Sequence, residues 1–219
     1  MALKLYSTLG SPAARASILT LRALGLKDKI QIINVNLVAL DHLKPEYVEK
    51  NPLHTVPMLE DGNFILYDSH AINAYLVNKY ADNDALYPKD PQKRALVDSM
   101  AHFDTGYLFA RVGRINNAIF MQDKSADFNQ MKIELAEVYD LLELILQKRI
   151  FVAGEQLTIA DFSIVATLSN AEVFCPVDAK KHPKITAWNE KMKQLPYYSI
   201  NEKGSQLFRE LMTNLSSKL

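Results

Sequence analysis

An α/β domain with a mixed sheet, followed by an all-helical domain, is the architecture this 219-residue sequence predicts. Three observations carry that prediction. Residues 1–80 open strand, helix, strand, an order that favours a parallel pair joined by a right-handed crossover. Two further short apolar runs flank Glu60-Asp61-Gly62-Asn63, which reads as a hairpin turn. After Pro91 no strand pattern recurs, and the chain shows only long stretches with apolar residues three and four apart.

Taken in order, residues 3–6 form the first strand and 12–24 the first helix, with Pro12 at its start and Gly25 as its C-terminal stop. Residues 30–35 are a β-branched strand, too apolar for an exposed edge. A weaker helix is expected over 42–50, hairpin strands over 56–59 and 64–66, and a third helix over 69–80. A polar, proline-punctuated linker spans 81–90 and separates an N-terminal domain, 1–80, from a helical domain, 91–219. Within the latter, 91–121 and 127–148 read as long amphipathic helices. Leu96, Met100, Phe103 and Tyr107 mark the apolar face of the first, and Leu135, Val138, Leu142 and Ile145 that of the second. Gly113, inside the first, marks a kink or a close approach. Helices over 158–173, 183–194 and 202–215 complete the domain. Thr158 and Asp161 spell an acidic capping box, with Leu157 placed to pack on Phe162, a feature that reports on folding rather than chemistry.

Lysine plus arginine and aspartate plus glutamate both number 25, and the charge is divided evenly between the two domains. This neutrality argues against nucleic acid or an anionic membrane surface as a partner. No apolar run approaches the roughly 18 residues of a membrane helix. Gly10-Ser11-Pro12 interrupts the N-terminal apolar stretch before it could serve as a signal peptide. The lone Cys175 excludes an internal disulfide and a thiolate-built zinc site, and fits a reducing, cytosolic compartment as a half-buried, unpaired thiol.

Three places could carry chemistry. Ser11-Pro12 fits an N-cap, yet the same geometry brings a hydroxyl and free N–H groups to a helix end carrying about half a positive charge, where an anion such as a thiolate would be held. Asn51-Pro52-Leu53-His54-Thr55-Val56-Pro57 either begins a strand or presents a cis proline whose neighbouring backbone pairs with a bound peptide. Asp68-Ser69-His70 is an N-cap, or a reader of a zwitterion: the carboxylate for an ammonium, the hydroxyl and N–H groups for a carboxylate. His42, His54 and His70 share the small domain, but their spacing is poor for a metal. Glycine-rich phosphate loops and a nucleophile elbow are missing from the sequence.

These strings together resemble the cytosolic glutathione S-transferases, and most closely their insect epsilon class. The resemblance runs from Leu3 to about Leu215 through S-P-A-A-R-A (11–16), N-P-L-H-T-V-P (51–57), D-S-H-A-I (68–72), A-L-Y-P-K-D-P (85–91), H-F-D-T-G (102–106) and L-T-I-A-D-F-S (157–163). It implies a thioredoxin-like first domain with a cis Pro57 that binds glutathione. Ser11 matches the serine whose hydroxyl meets the glutathione sulfur. His42 and His54 are implied at the glycyl end, Thr55 and Val56 beside the cysteinyl part, and Asp68 and Ser69 at the γ-glutamyl end, with His70 alongside. Asp68 stands where many relatives carry glutamate, and Ala13 replaces a second proline. Tyr6 is the rival partner for the sulfur, because other classes use a tyrosine near the end of the first strand.

The implied activity is conjugation of glutathione to small apolar electrophiles, with reduction of lipid hydroperoxides as a further reaction of the family. Glutathione is a co-substrate, and no metal or other cofactor is expected. A free thiol with pKa about 8.5 is mostly protonated at neutral pH, and lowering it by roughly two units needs about 2.7 kcal/mol of anion stabilisation. One hydrogen bond from Ser11 together with a helix end is of that order. Walls for the electrophile are expected from Leu9, Leu37, Tyr107, Phe109, Val112, Asn116, Phe208 and Leu211, each of which is equally readable as helical core. Gly113, Asn116 and Asn117 make the middle of that helix small and polar, which argues against insecticide dehydrochlorination. A homodimer is implied, with His70 and the Asp98-His102-Asp104 stretch at its interface. The competing functions are a ligandin-like carrier of apolar molecules and a structural scaffold. An intact Ser11, His54, Asp68 and Ser69 set disfavours the scaffold.

Overall fold

The computed structural model describes residues 3–217. Met1, Ala2, Lys218 and Leu219, which belong to the expected domains, lie outside the described residues. Strand β1 (Leu3–Ser7) leads into α1 (Pro12–Ala23), β2 (Ile30–Asn34), the short α2 (Pro45–Val48), the hairpin β3 (Met58–Asp61) and β4 (Phe64–Tyr67), and α3 (Ser69–Tyr80). The sheet order is β2-β1-β3-β4, with β1 parallel to β2 and antiparallel to β3. Leu5 pairs with Ile32 on one side and Leu59 on the other, and Leu59 in turn faces Leu66. One face of the sheet packs on α1 and α3 through Leu3, Leu5, Ile18, Leu59, Ile72 and Leu76. On the other, Val35, Tyr47 and Met58 form a small separate cluster.

Helix α1 starts with Ser11 as N-cap and Pro12 at its first position, and it stops where Gly25 takes a φ of 66°. Leu26 N–H bonds the Leu21 carbonyl and Gly25 N–H that of Arg22, the paired bonds that only a left-handed residue at this point permits. The α4 helix (Pro91–Phe103) follows the linker. Beyond it lie a π-helical stretch (Asp104–Phe109), α5 (Ala110–Phe120), α6 (Phe128–Leu146), α7 (Ile159–Phe174), α8 (Pro183–Lys193) and α9 (Ser199–Ser216). The principal core lies inside this domain, around Leu135, Tyr139, Phe162 and Leu168. Among the described residues no helix is long and apolar enough to cross a membrane.

Several expectations are corrected. Residues 30–35 were expected inside the sheet, but β2 is its edge, with Ile32 exposed; β1 takes the central place because both β2 and β3 pair with it. The helix over 42–50 is divided into a 3₁₀ turn (Asp41–Leu43) and α2. Lys44 is extended at ψ 142°, as the residue before Pro45 must be, and Pro45 begins a new helix. Strand β3 begins at Met58, so Val56 and Pro57 precede it. Residues 91–121 do not make one regular helix: the irregularity falls at Asp104–Phe109, not at Gly113, where an added Cβ would meet open space. The π turn rotates Asp104 and Leu108 inward while leaving Tyr107 and Phe109 exposed. Leu96 is also exposed, so only part of the assigned apolar face enters the core.

The capping box at α7 is as expected, and it reaches further than its own helix. Asp161, fully buried, accepts from Thr158 N–H at 2.8 Å, Thr158 Oγ1 at 3.0 Å, Val152 N–H at 2.9 Å and Trp188 Nε1 at 3.0 Å. Burial pushes its carboxyl up to about 6 even against those four donors. Asp161→Ala leaves buried donors without acceptors and is expected to lower the unfolding free energy by about 3 kcal/mol in urea denaturation. A loss below about 1 kcal/mol would mean that solvent reaches those donors in the variant.

Candidate active site

The loop before β3 is built by Asn51, which is fully buried. Its side-chain oxygen accepts from Leu53 N–H at 3.1 Å, and its Nδ2 donates to the Thr55 carbonyl at 2.9 Å. Tyr47 Oη donates to the same carbonyl at 2.7 Å. The loop thus held carries His54 at a φ of 44° and a cis Val56–Pro57 peptide. His54 stands by His42, ring centroids 6.3 Å apart, and His42 Nδ1 is buried without a partner.

A cavity of 190 Å³ opens between this loop, the start of α3 and the π turn. Thr55, Val56, Pro57, Asp68, Ser69, His70, Asp104, Thr105 and Phe109 line it, with Ala13 from the first turn of α1. The cap expected at Asp68 is present and leaves part of the carboxylate uncommitted. Its Oδ1 caps α3 by accepting from His70 N–H and Ala71 N–H, each at 3.0 Å, while the side chain stays exposed and its second oxygen remains available. Ser69 follows as the first residue of that helix. Ser11 lies two residues before Ala13, and its Oγ accepts from Ala14 N–H at 3.3 Å. Among the described residues no acceptor takes the Ser11 proton, so the hydroxyl can still donate.

Tyr6 is differently committed. Its hydroxyl donates to Glu60 Oε2 at 3.1 Å, beside Lys50, and its ring meets Tyr47 edge-on at 6.0 Å. Hydrogen bonds from Lys4 and Lys50 hold the Glu60 carboxyl down at about 2. The phenol therefore belongs to a charged cluster of the sheet, on the Val35–Tyr47–Met58 side.

His70 bridges the two domains. Its Nε2 lies 3.4 Å from Asp104 Oδ2 and its Nδ1 3.3 Å from Ser163 Oγ. Burial pulls the imidazole pKa down, but the hydrogen bond and charge of Asp104, with Asp68 adding to them, leave it raised above its ordinary value. Asp104 is itself buried, and its Oδ2 faces His70 while its Oδ1 has no partner among the described residues. Asp98 likewise accepts from Tyr87 Oη at 2.9 Å, which leaves His102 as the exposed member of the expected interface stretch. Among the described residues no three histidine, cysteine or acidic side chains cluster as metal ligands.

The expected electrophile walls divide. Phe109 lines the cavity, and Tyr107 is exposed, stacked on Phe103 at 5.5 Å and beneath the Arg111 guanidinium at 5.4 Å. Asn116 is half-buried with an unpartnered Oδ1. Val112 and Phe208 are core and not walls: Val112 shares its buried helical face with Leu108, Ile115 and Ile119, and Phe208 packs edge-on against Phe174 at 5.8 Å. Leu211 packs on the same core, Leu37 on the Val35–Tyr47–Met58 cluster, and Leu9 on the cluster between sheet and α1.

Sequence reasoning missed Arg15, Asp104 as a partner of His70, Thr105 and Asn201. The signal for Arg15 was present: a charged residue among Ala14, Ala16, Ile18 and Leu19. Asn201 gives no such signal, because its role depends on a contact 186 residues away.

Residues 5–84 match the family described as Glutathione S-transferase, N-terminal domain, and residues 115–200 match Glutathione S-transferase, C-terminal domain. Glutathione S-transferase 1 of Manduca sexta is 38% identical over 98% of this chain and 99% of its own. An epsilon-class glutathione S-transferase from the housefly, Musca domestica, superposes with a TM-score of 0.93 at 40% identity, covering 97% of this chain and 98% of that one. A glutathione transferase homologue of Drosophila mojavensis, solved with bound glutathione, superposes equally well at 0.93, with 43% identity and 97% of each chain covered.

The raised His70 pKa has a testable sign. Its pairing with Asp104 contributes stability that is whole below the unfolded value of about 6.5 and is lost as pH rises through the folded value. The stability difference between wild type and His70→Gln, read by urea unfolding, is therefore expected to be larger near pH 6 than near pH 9. Equal gaps at both would mean that the imidazole bridges the domains only in its neutral form.

Proposed function

This chain belongs to the glutathione S-transferase family, and from that premise we propose a division of labour for glutathione conjugation. The Ser11 hydroxyl and the N-terminus of α1 hold the glutathione sulfur as a thiolate, and the cavity walls together with His42 and His54 hold the rest of the tripeptide. The observation that carries this is the seryl proton left uncommitted at the capped end of a helix whose first turn opens on the cavity. The free oxygen of Asp68 takes the γ-glutamyl ammonium. Ser69 and the N-terminus of α3 take its carboxylate, with His70 behind them. Thr55, Val56 and Pro57 present backbone to the cysteinyl residue, and the paired His42 and His54 meet the glycyl carboxylate.

The substrate brings its own nucleophile, so no metal or other cofactor enters the scheme. The thiolate sulfur bonds to the electrophilic carbon as the leaving group departs with the bonding pair. Phe109 places an apolar surface at the cavity and Tyr107 a stacked aromatic ring nearby, which suits small apolar electrophiles. A ligandin-like carrier gives no reason for a donor poised at a helix end. The chain also acts as a dimer through the α3–α4 face in this scheme, at twice its 24.8 kDa mass, in the cytosol.

Ser11→Ala is expected to lower kcat/KM for glutathione with a chlorodinitrobenzene electrophile by about 10- to 1000-fold. Tyr6→Phe is expected to stay within about threefold of wild type. Full activity in Ser11→Ala, with loss in Tyr6→Phe, would transfer the sulfur contact to the phenol and refute the assignment.

A further inference from the structure

We propose that Arg15 is a positioning residue for Ser11 and that its charge adds to the positive potential holding the glutathione thiolate, an inference that rests on the transferase reading above. Arg15 sits one turn into α1, with its side chain fully buried. Its Nη1 donates to the carbonyls of Leu9 at 2.9 Å and Gly10 at 3.2 Å, the two residues that lead into Ser11. Its Nη2 donates to the Ala166 carbonyl at 2.9 Å, Ser169 Oγ at 3.0 Å and Asn170 Oδ1 at 2.7 Å, and its Nε to Asn201 Oδ1 at 2.8 Å. One planar fork thus ties the loop before Ser11 to α7 and α9. Asn170 Nδ2 adds a bond to the Gly10 carbonyl at 3.3 Å. The arrangement is close enough that Gly204 must lack a side chain: a Cβ there would lie 2.3 Å from both Arg15 Cδ and the Leu9 carbonyl oxygen.

The unusual feature is electrical. All six acceptors are neutral, so the fold buries a cation without a carboxylate beside it, which costs more than burying a neutral amide would. It does so in the first turns of a helix, the end at which a cation is disfavoured. Burial lowers the guanidinium pKa to about 9, which leaves it charged at neutral pH. The titratable group facing it is the Tyr198 phenol, whose own pKa burial pushes up, so it supplies no negative charge there at neutral pH. The anion that would relieve this arrangement is one bound at the N-terminus of α1, where the thiolate is placed.

Arg15→Met removes clamp and charge together and can simply unfold the protein, so the discriminating variant is Asn201→Asp. It keeps the oxygen that accepts from Arg15 Nε, replaces an Nδ2 that has no partner, and neutralises the guanidinium in place. The bound glutathione thiol, titrated by its thiolate ultraviolet absorbance, is expected to ionise about half a unit to one unit higher than in wild type. Correspondingly, kcat/KM falls about three- to tenfold at pH 6.5, with the gap closing by pH 8.5. Affinity for S-methylglutathione, which has no thiol to ionise, stays within twofold, and Tm does not fall. An unmoved thiol titration overturns the proposal, as does a Tm or S-methylglutathione affinity that declines together with activity. Wild-type protein that forms no conjugate would instead sink the transferase reading, whereas an active wild type with an unmoved Asn201→Asp sinks only the role of Arg15.

Discussion

Helix α1 is enclosed: it packs on α3 and the sheet on one side and on α7 and α9 on the other, buried from Ala14 to Leu21. A helix in that position has little water to satisfy polar side chains, so Arg15 and Thr20 find partners in protein, whereas the Ser17 hydroxyl stays buried without one. Thr20 Oγ1 returns its proton to the Ala16 carbonyl at 3.0 Å. Small residues at Ala14, Ala16 and Ser17 leave room for neighbouring elements, and Arg15 is accommodated only because α7 and α9 turn carbonyl and amide oxygens toward it. The two domains therefore share a helix rather than a surface, and the geometry at its N-terminus depends on both.

The free end of that helix is where the proposed scheme puts the thiolate. Two helix N-termini open on one cavity, α1 through Ala13 and α3 through Ser69. Each adds about half a positive charge to that space, which favours the anionic groups the proposed scheme seats there. Their caps do not exhaust the capping side chains: Ser11 accepts with its oxygen and keeps its proton, and Asp68 caps with one oxygen and keeps the other. Capping and binding are compatible because each side chain has more hydrogen-bonding capacity than the helix end uses. The helical domain closes the cavity with the π turn, whose extra residue turns Asp104 inward to His70 while Phe109 still reaches the cavity.

Much of this was legible because it is local. The Gly25 stop, the bounds of α3, the hairpin at Gly62 and the Thr158–Asp161 box are written in neighbouring residues, and the structure carries each. Errors came where a local pattern had two outcomes. Ile30 to Asn34 has the composition of a buried strand, yet its position depends on which strand pairs with β1 on the other side. Val112 and Phe208 carry apolar side chains that could line a cleft or fill a core. Rotation of α5 and α9 put them inside, and no residue near them in sequence reports that rotation.

Sequence by itself therefore determined the two-domain order, the helix caps and the presence of Ser11, Asp68 and Ser69 at helix starts, since these follow from hydrogen bonds spanning three or four residues. Tertiary structure decided that the two starts face one cavity, that His70 meets Asp104 and that Tyr6 is drawn to Glu60. It also gave Arg15 its oxygen cage, with partners as far along the chain as Asn201. Such contacts arise only when distant segments are desolvated together, and the identity of one partner says little about the other until packing has brought both out of water.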